Sequence, residues 1–139
     1  MKHKIVIVLI ALALIVPAYY INSTIDELGP LSFQRINNEV KDASVNNELW
    51  ILDPKEVAIR LAGETGKGVD RTISVEEEDG RAIVTIIDEG YRDDSVNGAK
   101  YIINVIQDVD EVWYISSAEW GVKCQSGRGH QNYSTELCH

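Results

Sequence analysis

From residue 71 to residue 123 the chain alternates apolar and polar side chains in four successive runs, a pattern that only a pleated sheet satisfies. Arg71-Thr-Ile-Ser-Val-Glu-Glu77 reads as the first strand. Asp79-Gly80 then supplies two residues that tolerate positive backbone angles, as a two-residue hairpin requires, and residues 81–87 return. Residues 100–106 form the third strand, and Asp108-Val-Asp110 turns the chain into a fourth over 112–122. In that last strand, simple alternation places Val112, Tyr114, Ala118, Trp120 and Val122 on one face. Consecutive hairpins give an antiparallel meander, and one face of it needs a cover.

A helix begins at Asp53-Pro-Lys-Glu56. Asp53 suits the N-cap, Pro54 the first turn and Glu56 the capping box. Val57, Ala58, Leu61 and Ala62 share a face, and Gly63 ends the run. The predicted fold class is therefore α+β, one helix packed on a four-stranded antiparallel meander, with residues 51–139 as a small domain. Residues 64–68, Glu-Thr-Gly-Lys-Gly, lack phosphate-loop spacing and follow a helix, so they read as a flexible connection. Upstream, Phe33, Ile36 and Val40 have helical spacing, but Asn37, Asn38, Asn46 and Asn47 weaken it. Residues 22–50 are expected to be a linker holding a short helix.

Met1-Lys-His-Lys4 precedes an uncharged apolar run over residues 5–21. Such a run is at the lower limit for a membrane span, and tyrosines at 19 and 20 spoil a small-x-small cleavage site. Residues 1–21 are thus expected to be an uncleaved signal anchor holding the protein in the inner membrane. Lys2 and Lys4 precede the run while Asp26 and Glu27 follow it, so the positive-inside rule puts the domain on the extracytoplasmic side of the bacterial cell envelope.

The formal charge is −9, and everything after residue 21 carries all 22 acids against 11 of the 13 bases. A surface of that sign repels phosphates, so nucleic acid is excluded as a partner. The acidic clusters lack the alternating twelve-residue ligand pattern of a calcium loop, and the chain contains no motif that calls for a cofactor.

Both cysteines, Cys124 and Cys138, lie in the last sixteen residues. In an exported protein they are expected to pair, closing a loop worth about 3 kcal/mol in chain entropy. Zinc is the rival use, since His130 and His139 accompany them, but the spacing matches no common zinc motif. Inside the loop Arg128 stands between Gly127 and Gly129. Its guanidinium suits a carboxylate or phosphate, or an internal pairing with Asp93 or Asp94. The second candidate segment is residues 88–98, long and charged, with Asp93-Asp94-Ser95 at its centre. Acid, hydroxyl and the His130 imidazole together hint at a triad, yet no nucleophile elbow surrounds Ser95.

The set Asp93-Asp94-Ser95-Val96-x-Gly98-x-x-Tyr101, the Trp113 strand, and Cys124-x-x-Gly127-Arg128-Gly129-His130 with Ser134 and Cys138 resembles an uncharacterised family of small exported bacterial domains. The resemblance covers residues 54–138. It implies a folded envelope domain whose two loops form one surface, and it implies no activity. The expected function is a tethered binding module for an envelope protein or glycan, with Arg128, His130, Asp93, Asp94 and Ser95 at its contact edge. The alternative is a small hydrolase using His130 with Asp93 or Asp94.

Overall fold

The computed structural model describes residues 25–139, so the expected anchor over residues 5–21 lies outside the described residues. No described helix is long and apolar enough to cross a membrane. The α+β class stands, but with two helices and five strands in place of one and four. The elements are β1 (Gly29–Pro30), α1 (Gln34–Val45), a 3-10 turn (Leu49–Leu52), α2 (Pro54–Ala62), β2 (Asp70–Glu78), β3 (Arg81–Glu89), β4 (Val96–Gln107) and β5 (Trp113–Cys124). All strand pairs are antiparallel, in the order β1-β5-β4-β3-β2. The meander is as the alternation demands, and β1 adds a two-residue edge beside Glu119 and Trp120.

Asp79 and Gly80 both take positive φ, which closes the β2–β3 hairpin without a bulge and fixes its register. Asp53 accepts a hydrogen bond from the Lys55 N–H at 2.8 Å and caps α2, as its sequence position implies.

The second helix on the sheet comes from the stretch expected to be a linker holding a short helix, and it runs for 12 residues. In α1 the buried side chains are Ile36, Val40 and Ala43, and they join Val57 and Ala58 of α2 over the sheet. The asparagines that lower its helix propensity do not prevent it, because one of them has a tertiary task. Asn37 donates its amide to Ile115 O and accepts from Ile115 N–H, each at 2.9 Å. A helix side chain thus takes the place of a strand partner.

That contact lies next to a bulge. Asn104 pairs with Ser117 and Val105 with Ile115, which leaves Ser116 as an extra residue in β5. The face expected from alternation is therefore right only beyond it. Before the bulge, Trp113 and Ile115 are buried rather than Tyr114, and beyond it Ala118 is. The Ser116 hydroxyl donates to Asn104 O at 3.1 Å and the Asn104 amide to Ser117 Oγ at 3.0 Å, so the bulge is held by its own side chains.

The opposite face of the sheet receives both ends of the described chain. Ser134 exchanges backbone hydrogen bonds with Val122, and Leu28 and Ser134 press on Gly121, where a Cβ would lie 2.9 Å from each. Residues 25–28 form a strap over the tail. Glu27 N–H donates to Tyr133 O at 2.7 Å, Asn132 donates to Ile25 O at 2.8 Å, and Lys100 meets Asp26 at 2.7 Å.

Candidate functional site

The topology sorts the connections. The two tight turns, at Asp79–Gly80 and around Val109, occupy one end of the sheet. The α2–β2 loop, the β3–β4 loop and the tail after β5 all emerge at the other.

At that second end the β3–β4 loop and the tail are joined. Gln125 N–H donates to Ser95 O at 2.7 Å. The Gln125 amide donates to the carbonyls of Asp93 at 3.1 Å and Tyr91 at 3.2 Å, and lies 3.4 Å from that of Val96. Within the loop, Asp93 accepts from the backbone N–H groups of Val96 and Ser95 and from the Ser95 hydroxyl. These donors hold its carboxyl below the ordinary value. Asp93 and Ser95 are therefore turn formers, while Asp94 is exposed at the tip.

Cys124 and Cys138 form a disulfide, with their Cα atoms 5.4 Å apart. Arg128 lies at the exposed turn of the closed loop, its N–H on Gln125 O and its guanidinium 3.4 Å from His139 O. Among the described residues it pairs with neither Asp93 nor Asp94. His130 places Nδ1 2.9 Å from Asn132 O and Nε2 3.1 Å from Glu136 O, so both ring nitrogens face backbone of its own tail. The structure thus brings together Asp93, Ser95 and the tail through Gln125. It keeps the His130 ring on Asn132 and Glu136 and away from Asp93, Asp94 and Ser95.

Behind the β3–β4 loop is a cleft of about 410 Å³. Lys67, Val69, Tyr91 and Arg92 are among the residues that line it, and Asp88 lies at its floor. Asp88, 2 % exposed, is held by Arg71 through Nε at 2.6 Å and Nη2 at 2.7 Å. Arg71 Nη1 also donates to Gly63 O at 2.7 Å, which fixes the end of α2. The Tyr91 hydroxyl donates to Asp88 Oδ2 at 3.2 Å. Burial, together with Tyr101 and Asp88 nearby, pushes the Tyr91 phenol far up, so it is neutral and acts as a donor. Gly98 is required beside this cluster, because a Cβ there would strike the Asp88 carbonyl.

Lys67 and Arg92 at the rim have no carboxylate partner among the described residues, while the Arg128 guanidinium lies 3.4 Å from His139 O. Glu64 and Asp93 line the same cleft and Asp94 is exposed beside it, so this end presents charges of both signs. A wider groove of about 910 Å³ lies on the sheet around Ile83, Asn104 and Ile106, with Glu76, Glu77, Glu78 and Arg81 among its lining residues.

Sequence reasoning missed the Arg71–Asp88 pair, although the signal was present. Ala82, Val84 and Ile86 alternate inward, which puts Asp88 on the core side, and counting back from the Asp79–Gly80 turn sets Arg71 opposite it. Gln125 carried no comparable signal, because its partners are backbone carbonyls 29 or more positions away.

Comparison with protein-family models, with curated proteins and with solved structures finds no match for this chain.

Proposed function

We propose that the protein is a membrane-tethered extracytoplasmic module of the bacterial cell envelope that binds an envelope protein or glycan through its loop end. The observation that carries this is the Gln125 clamp. It ties the β3–β4 loop to a tail already closed by the disulfide, so the end is ordered before any partner arrives. Asp94 and Arg128, with Arg92 and Lys67 at the cleft, then offer charged groups to a partner. Charges of both signs suit an envelope protein or glycan that offers carboxylates to Arg92 and Arg128 and donors to Asp94.

The strap supports the same orientation. Four residue steps reach about 14 Å at most, so an anchor ending at Ile21 holds Ile25, and the tail pinned to it, close to the membrane surface. The partner is then a component at or near that surface. Reversing two charges, Arg92→Glu with Arg128→Glu, tests the proposal in cells. The folded double variant is expected to lose its co-purifying partner, whereas retention of the partner at wild-type yield would sink the idea.

The hydrolase alternative draws on the same residues but needs the His130 ring to leave Asn132 and Glu136 and turn to Asp93 or Asp94. The binding module needs no such rearrangement and is preferred.

A further inference from the structure

A sulfur of Cys124, a sulfur of Cys138 and a ring nitrogen of His130 all lie within 4.8 Å of one another. In the oxidised chain the two sulfurs are bonded to each other. Reduction leaves two thiols and an imidazole within reach of one point, three of the four donors of a tetrahedral zinc-type site, provided one ring nitrogen gives up its carbonyl at Asn132 or Glu136 while the other keeps its own. The spacing along the chain hides this, because the tail folds back on itself to make it. Cys124 N–H donates to His130 O at 3.1 Å, and His139 N–H donates to Arg128 O at 2.8 Å. Those bonds do not involve the sulfurs. Gly129 keeps the space clear, since a Cβ there would stand 2.9 Å from the Cys124 sulfur.

We propose that the tail is a redox-gated metal site: a disulfide when oxidised and, when reduced, a Cys124–His130–Cys138 site for a borderline-soft divalent ion such as zinc, with the fourth position open to His139 or solvent. A dithiol carrier performs the reduction. One of its thiolates attacks the bridge, its second thiol releases the mixed disulfide, and it departs as a disulfide while Cys124 and Cys138 become thiols. The ion then displaces both thiol protons to solvent. Two thiolates and a neutral imidazole around a doubly charged ion leave the site neutral, which suits Cys124, a fully buried residue. Reoxidation by a disulfide carrier reverses the steps and expels the ion. Either state ties the two ends of the tail, so the Gln125 clamp has support in both.

The test uses the full chain in detergent, reduced with a phosphine under anaerobic conditions and titrated with cobalt(II) as the spectroscopic probe. One equivalent is expected to give a thiolate-to-metal charge-transfer band with tetrahedral visible bands, both bleached by zinc, and the oxidised chain is expected to give neither. Zinc should release about two protons per ion from the reduced wild-type chain at about pH 7 to 8, where free imidazole is neutral and free thiols are largely protonated. His130→Gln, whose fold is checked in the oxidised state, should bind cobalt about tenfold or more weakly. If that variant does not fold, the proton count on the wild type decides. Absence of the charge-transfer band, clearly fewer than two protons released, equal uptake by the oxidised chain, or unchanged affinity in a folded His130→Gln would each overturn the proposal.

Discussion

The backbone N–H of Gln125 lies 2.7 Å from the carbonyl oxygen of Ser95, and it links the first residue after β5 to the last residue before β4. One residue therefore continues the β4–β5 ladder past its regular end, and the Gln125 side chain extends the link to the carbonyls of Asp93 and Tyr91. The β3–β4 loop and the disulfide-closed tail form a single ordered surface as a result.

Removing the clamp should separate local from global order. Gln125→Ala is expected to cost about 1 kcal/mol of global stability, since its amide bonds are partly exposed to water. The amides of Tyr91 to Val96 should exchange distinctly faster than in the wild type, while those of β3 remain protected. Hydrogen exchange followed by NMR reads both at once.

The Arg71–Asp88 pair should behave as a buried ion pair whose halves depend on each other. Asp88→Ala leaves a guanidinium that is 14 % exposed without its carboxylate and is expected to destabilise by about 3–5 kcal/mol. Replacing both members, Arg71→Met with Asp88→Leu, should recover much of that loss. Denaturant unfolding of Arg71→Met, Asp88→Leu and the double variant measures the coupling, and simple additivity would contradict it.

Asn37→Leu tests whether α1 is integral to the domain. The substitution favours an isolated helix, yet it leaves both the N–H and the C=O of Ile115 without partners beside the bulge. A loss of about 2 kcal/mol is expected in thermal or denaturant unfolding. A gain would mean that propensity, and not the β5 contact, governs this helix.

The strap should loosen in acid. Partial burial works against ionisation of Asp26, but Lys100 and the Tyr133 N–H prevail and hold its carboxyl below the ordinary 3.8. The ionised form therefore stabilises the fold above that pH, and its contribution disappears as pH falls through the lower folded value. Asp26→Asn should be less stable than the wild type near neutrality, and the difference should shrink on titration from about pH 5 to about pH 2. Thermal unfolding across that range gives the comparison. The Tyr133 phenol, raised to about 12 by burial and by Glu89, stays neutral throughout.

The sequence made the meander, the Asp79–Gly80 turn, the capped α2 and the cysteine pair legible, because each depends on neighbours along the chain. What it concealed depends on distant partners. The asparagine count argued against α1, while the reason for one asparagine lay at Ile115. Alternation in β5 was interrupted by Ser116, which no local pattern announces. Two-residue β1 is too short to carry periodicity at all, and it forms because Gly29 and Pro30 lie beside Trp120 and Glu119. In the candidate site, Asp93, Asp94, Ser95, Arg128 and His130 were legible as residue types. Their arrangement was not, because it is set by Gln125 and by the tail's fold onto its own carbonyls.

The most direct measurement is site-specific photocrosslinking in cells, with a diazirine side chain placed at Asp94, at Arg128 or at Val109. Val109 is 98 % exposed and lies at the opposite end of the sheet, so it serves as the control. A binding module that works through its loop end should give a discrete adduct from positions 94 and 128, none from 109, and loss of the adduct at 94 when Gln125→Ala is added. Equal labelling from all three positions, or adducts from 109 alone, would contradict that assignment.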